Sequence, residues 1–146
     1  MIIDLLKTAL ADHIEAALIV HGYHWSVEGP DFNQYHNFFG EIYDDYQDQV
    51  DTIAEYVRII SSGTEYIFAS ASIVKLNTTI KAVPLVGNKV IRMCREIQII
   101  NESLQGSMEK LFKVASEQNF EGLANYCADR ENVHSKLNWK LAVIAK

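Results

Sequence analysis

At 146 residues and 49% hydrophobic content, the chain has the size of one domain, residues 1–146, with enough apolar material for a packed core. A net charge of −6 disfavours binding to nucleic acid, which needs clustered Lys or Arg, and no apolar run reaches the 18 residues that suggest a transmembrane helix. The N-terminal stretch carries Asp4 and Asp12 and lacks a basic region with a cleavage site, so no signal peptide is expected. Cys94 and Cys127 fit no metal-ligand spacing, and two reduced thiols of a cytoplasmic protein are the simplest expectation.

Seven glycines and two prolines favour long helices over a turn-rich fold. Residues 3–27 form the first predicted helix, with Leu5, Leu6, Ala9, Leu10, Ile14, Ala17, Leu18 and His21 at i, i+3, i+4 spacing. His13 stands alone in this apolar pattern and is expected to be structural. Gly29-Pro30 interrupts the chain. Residues 31–61 form the second helix, with Asp31 positioned to cap it and Phe32, Tyr35, Phe39, Ile42, Tyr46, Val50, Ile53 and Val57 as its apolar stripe. Ser61-Ser62-Gly63 ends it. Residues 64–87 suit a short helix within a long crossover, bounded by Pro84 and Gly87. Two further helices are expected over 88–115 and 118–144. The fold class is all-α, four long helices with one long crossover, an arrangement that resembles the one ferritin-like four-helix bundles use.

The chemistry is concentrated in residues 21–58. From Asp12 to Glu55 there are ten acids, while Thr8 to Val57 contains no Lys or Arg. Such charge calls for compensation by solvent and salt or by a bound cation. His24 closes the first helix, His36 opens the second, and Asp51 and Glu55 lie four apart on one face of the second. Imidazole with carboxylate suits first-row transition metals better than Mg or Ca. His36 and Asp51 are 15 residues apart, about 22 Å along one continuous helix at 1.5 Å per residue. One metal ion cannot span that distance. If His24, His36, Asp51 and Glu55 form one site, the histidines of one chain must meet the carboxylates of another across a two-fold axis. Without such a partner the same residues are a solvated polar face.

The stretch HWxVxGPxFxxxHxxFxxxYxxxxxxxDxIAE, from His24 to Glu55, resembles the signature of the Dps family, the mini-ferritins. The 12, 15 and 4 residue intervals between His24, His36, Asp51 and Glu55 are similar to the family's, and HSKLNWKL, from His134 to Leu141, resembles its last helix. Between these segments the likeness is one of pattern and length. The resemblance implies a hollow homo-dodecamer that oxidises Fe(II) at dimer-interface sites, with hydrogen peroxide as oxidant, and stores ferric mineral. His24, His36, Asp51 and Glu55 would then be both metal ligands and catalytic residues, and iron the metal. DNA binding, common among relatives with basic tails, is not expected, because this acidic chain has none. Family members line their pores with acids near the fourth helix, for which Asp129 and Glu131 are candidates, but Ser135 stands four before Trp139 where an acid is common.

The remaining residues of interest have plainer readings. Trp25 suits interface packing more than radical quenching, as do most of the nine aromatics between 23 and 56. His21 is expected at a polar interface. Asp44 and Asp45 suit a solvated face, whereas Asp48 could assist the site. A ferritin-type centre inside one bundle needs two Glu-x-x-His motifs, and only Glu131 to His134 is present. Two rival functions stand beside iron oxidation: a protective or DNA-associated shell whose metal site is idle, and another enzyme on the same scaffold that uses manganese or a different redox substrate.

Overall fold

The computed structural model describes residues 1–67, 77–80 and 89–146. Four helices carry the architecture: α1 (Ile2–Ser26), α2 (Phe32–Ile60), α3 (Lys89–Glu117) and α4 (Glu121–Ile144). Each lies within a few residues of its expected bounds. The expected short crossover helix falls largely outside the described residues.

The chain enters and leaves these helices through local devices. Val27 is extended and its amide donates to the carbonyl of Tyr23, and Gly29 then adopts φ +114°, a conformation costly for any residue with a Cβ. Asp31 does occupy the cap position of α2, but its side chain makes no capping hydrogen bond, contrary to expectation. After α2, the Gly63 amide returns to the carbonyl of Arg58 at 2.8 Å, with Ser62 and Gly63 both at positive φ. The tight turn between α3 and α4 repeats this closure: Asn119 takes φ +63° and the Phe120 amide bonds the carbonyl of Ala115.

Two buried clusters fix the topology. At one end, Leu6 and Ala9 of α1 pack with Ile53 and Val57 of α2, Met108 and Leu111 of α3, and Leu123 of α4. At the other end, Val20 and Tyr23 of α1 pack with Phe39 and Ile42 of α2, Met93 and Ile97 of α3, and Leu141 of α4. Thus α1 and α2 are antiparallel, α3 and α4 are antiparallel, and α2 and α3 run the same way. That parallel pair requires the long connection between residues 60 and 89. Part of the connection is tied to α1 at buried Asp12, whose carboxylate accepts bonds from the Thr78 hydroxyl (2.8 Å), the Thr79 amide (2.6 Å) and the Thr79 hydroxyl (2.8 Å). Ile80 follows directly into the core.

The buried line of α1 differs from the expected one. Leu18 is 61% exposed, whereas Ala16, Val20 and Tyr23 are buried. A helix packed against two neighbours buries a wider stripe than one periodic row. Cys94 and Cys127 are buried free thiols, and burial pushes them up to about 11 and about 12, so neither is a reactive thiolate at neutral pH.

The middle of the bundle is polar. His13, Asn101, Arg130 and His134 are all buried there. Burial is the largest cause pulling His13 down from 6.5 to about 4 and His134 to about 2, with the Arg130 cation adding to both. Both histidines are therefore neutral in the folded protein at ordinary pH. The unfolded chain takes up these protons near pH 6.5, so it binds more protons than the folded state below that value. The contribution is complete above pH 6.5 and is lost as pH falls toward the folded-state values. At ~1.4 kcal/mol per pH unit, each histidine removes about 3 kcal/mol by pH 4. Urea midpoints should fall steeply between pH 7 and pH 4, and less steeply in His134→Phe. A midpoint flat across that range would contradict the neutral burial of these groups.

Candidate metal centre

The turn between α1 and α2 folds His24 and His36 against each other. Their rings stack with centroids 3.7 Å apart and planes 17° from parallel. The Nδ1–H of His24 donates to the carbonyl of His36 at 2.5 Å, and the Nδ1–H of His36 donates to the carbonyl of His24 at 2.7 Å. These reciprocal bonds fix both tautomers. With each Nδ1 protonated, each Nε2 carries the lone pair, the form in which a neutral imidazole binds a metal ion. Both rings are only half-buried, so the pair is reachable from outside the chain.

Aromatic rings extend this pair in both directions along the face of α1 and α2. Phe32 stacks on His36 with centroids 4.8 Å apart. His21 lies 6.0 Å from His24 and is itself stacked on Tyr43 at 3.9 Å and set against Trp25 at 4.0 Å. Trp25 is 66% exposed in the single chain.

Gly40, unnoticed in the sequence, lies beneath the site. A Cβ there would stand 3.1 Å from both Cε1 and Nδ1 of His24. The bare helix surface one turn beyond His36 is what lets the His24 ring lie flat. The signal available was a glycine inside a strongly periodic helix, where it costs about 1 kcal/mol relative to Ala. Gly40→Ala should therefore displace the His24 ring and weaken binding of a divalent metal ion at the pair on the order of 10-fold, as loss of a ligand's supporting contact commonly does. Metal titration alongside denaturation checks this. Unchanged affinity in a folded variant would mean that the ring position is irrelevant to the site.

Asp51 and Glu55 are exposed and lie on α2, which is unbroken from Phe32 to Ile60. The continuous helix keeps Asp51 about 22 Å along its axis from His36. Within one chain the structure brings together His24 and His36 but not the carboxylates. Among the described residues, no group of three or more His, Cys, Asp or Glu side chains could hold a metal ion.

The bundle interior offers no substitute. Asp45, expected on a solvated face, is instead gripped by Arg130, whose two terminal nitrogens reach its carboxylate oxygens at 2.9 and 2.6 Å. Its neighbours Asp44 and Asp48 do face solvent, as do Glu41, Asp51 and Glu55 of the same helix. His134, the histidine of the lone Glu-x-x-His, is fully buried and bonded to Asn101 rather than paired with a carboxylate. Asp129 is exposed, Glu131 is half-buried, and Ser135 accepts a bond from Gln105 at 3.0 Å.

A four-helix bundle with a long connection between parallel second and third helices defines a ferritin-like protein. The chain belongs to this family: the ferritin-like domain model matches residues 3–146. Within it, the chain falls in the Dps group. It is 28% identical over 138 residues to the DNA protection during starvation protein of Helicobacter pylori, covering 94% of both chains. A protein of the same name from Brevibacillus brevis is 36% identical over 59 residues, 40% of this chain and 38% of that one. Among solved structures, Helicobacter cinaedi CAIP superposes with a TM-score of 0.91 at 24% identity, covering all of both chains. The Vibrio cholerae Dps protein, described as a ferritin-like diiron-carboxylate protein, has a TM-score of 0.90 at 23% identity over 99% of this chain and 89% of that one. No helix among the described residues is long and apolar enough to cross a membrane.

Proposed function

We propose that this protein oxidises Fe(II) at sites shared between two chains and stores the ferric product inside a homo-oligomeric shell, a dodecamer, in the cytoplasm. The observation that carries this reading is the reciprocal His24–His36 clamp, which presents two neutral Nε2 donors and still lacks carboxylates of its own. Asp51 and Glu55 of a second, antiparallel copy would complete the donor set. Neutral imidazole with carboxylate favours Fe(II), and the anionic oxygens stabilise the Fe(III) product more than the Fe(II) substrate. Hydrogen peroxide is the oxidant in this reading: it accepts one electron from each of two Fe(II) ions and, with two protons, is released as two waters. Family membership supports iron handling in general, and the diiron-carboxylate description of the Vibrio cholerae protein points the same way.

The name of the relatives suggests DNA protection, but a chain of net charge −6 is a poor ligand for phosphate, so protection here is assigned to removal of iron and peroxide. The deciding experiment mixes the purified protein with Fe(II) and hydrogen peroxide and passes it over a sizing column. Many irons per subunit eluting with a shell-sized peak is the expected result. A shell-sized peak with about one iron or none per subunit would remove storage. A small oligomer without iron would remove the shared site itself. Manganese recovered from protein purified without added iron would favour a different redox chemistry on this scaffold.

A further inference from the structure

Three polar atoms in the middle of the bundle are buried without a hydrogen-bond partner: His13 Nε2, His134 Nε2 and Arg130 Nε. Their residues are 0%, 0% and 5% exposed. The surrounding bonds settle what each atom needs. His13 Nδ1–H donates to the carbonyl of Ala9 at 2.7 Å, so its Nε2 is an acceptor. His134 Nδ1–H donates to Asn101 Oδ1 at 2.6 Å, so its Nε2 is an acceptor as well. Arg130 uses both terminal nitrogens on Asp45, leaving its Nε–H as an unused donor.

Among the described residues, Tyr46 and Asn101 have no donor left for either Nε2. The Tyr46 hydroxyl donates to Asn101 Oδ1 at 2.8 Å. The Asn101 amide donates to the His134 carbonyl at 2.9 Å and to Asn138 Oδ1 at 2.8 Å. Nor can the two histidines serve each other. Both Nε2 atoms are acceptors, and their ring centroids stand 6.5 Å apart, too far for a head-on N–H···N bond of about 2.9 Å. Where the two Nε2 atoms face each other, a centroid separation of 6.5 Å leaves room for one interposed oxygen at ordinary hydrogen-bond lengths. Arg130 precedes His134 by one turn of α4, on the same face.

We propose that the centre of the bundle is a closed binding site for a single water molecule, which donates to His13 Nε2 and His134 Nε2 and accepts from Arg130 Nε–H. Counting decides between water and the obvious rival, a metal ion held by two imidazoles. Water satisfies all three atoms and makes the three bonds typical of an internal water. A cation would satisfy two, leave the Arg130 donor unmet, and stand beside a guanidinium charge. The bound water joins α1 to α4 through the middle of the bundle, beside Tyr46 of α2 and Asn101 of α3. It satisfies both buried imidazoles without placing a further charge beside Arg130.

A high-resolution crystal structure of the full-length protein, with anomalous data and elemental analysis, tests this directly. The expected result is one spherical peak per subunit, about 2.7–3.2 Å from both Nε2 atoms, with no anomalous signal. A peak at about 2.0–2.1 Å with anomalous signal would make it a metal site and overturn the proposal. No peak, or imidazoles bonded to other protein groups, would overturn it too. Water-¹⁷O magnetic relaxation dispersion gives a second readout: His13→Leu/His134→Phe should lose one long-lived water per subunit relative to wild type. An unchanged dispersion amplitude in a folded variant would count against the site, and if that variant does not fold the wild-type crystal result decides alone.

Discussion

If Fe(II) is oxidised at the proposed shared sites, oligomers assembled from an equal mixture of two inactive variants are expected to recover about one quarter of the wild-type iron-oxidation rate. One variant lacks the imidazoles, His24→Ala/His36→Ala, and the other lacks the carboxylates, Asp51→Asn/Glu55→Gln. Each alone should be inactive at the proposed shared site. In a two-fold pair containing one chain of each kind, one site receives both defects and the other receives none. Random pairing makes about half the dimers mixed, each with one intact site of two. A site within a single chain would recover nothing, because every chain carries a defect. The intrachain geometry makes this outcome expected: α2 runs unbroken between His36 and Asp51, and no third ligand approaches the histidine pair among the described residues. Dissociation, mixing and reassembly followed by a stopped-flow assay would measure it. Zero recovery from mixtures shown by mass spectrometry to contain both chains would exclude the shared site.

Asp45→Asn is expected to lower stability by about 3 kcal/mol, the low end of what removing one partner from a buried ion pair costs. The Arg130 side chain is 7% exposed and Asp45 33%, so the guanidinium loses its only counter-ion bond among the described residues where water cannot replace it fully. The low end is appropriate because the carboxylate side of the pair is partly solvated. Asp44→Asn, one position away and exposed, should stay within about 0.5 kcal/mol of wild type. Replacing both partners, Asp45→Leu/Arg130→Met, should recover much of the loss, since no buried charge is then left unpaired. Urea titrations at pH 7 measure all three. Equal effects of Asp45→Asn and Asp44→Asn would show that the pair contributes nothing beyond surface charge.

The helices, their breaks and the histidine spacing were legible in the sequence by itself. Apolar periodicity is a local property, and Gly29-Pro30 and Ser61-Ser62-Gly63 act on backbone within a few residues of themselves. The 15-residue interval from His36 to Asp51 ruled out a one-chain site by length alone, given an unbroken helix. The Asp31 cap failed because its residue type permits a bond that the actual turn geometry does not make. Leu18 misled because periodicity marks an apolar row without saying which side of it faces another helix.

What only the tertiary structure decided is the pairing of groups remote in sequence. Asp45 meets Arg130 across 85 positions, and Asn101 meets His134 across 33. No local pattern marks Asp45 as different from Asp44; the crossing of α2 and α4 turns one inward to a cation and leaves the other in water. The same holds at the metal face. Sequence determined that His24 and His36 stand at adjoining helix ends, because a short turn must bring those ends together. That each ring donates to the other's backbone carbonyl, over the bare surface of Gly40, depends on how α1 and α2 pack, and side-chain contact is set by the distance between helix surfaces rather than by spacing along the chain.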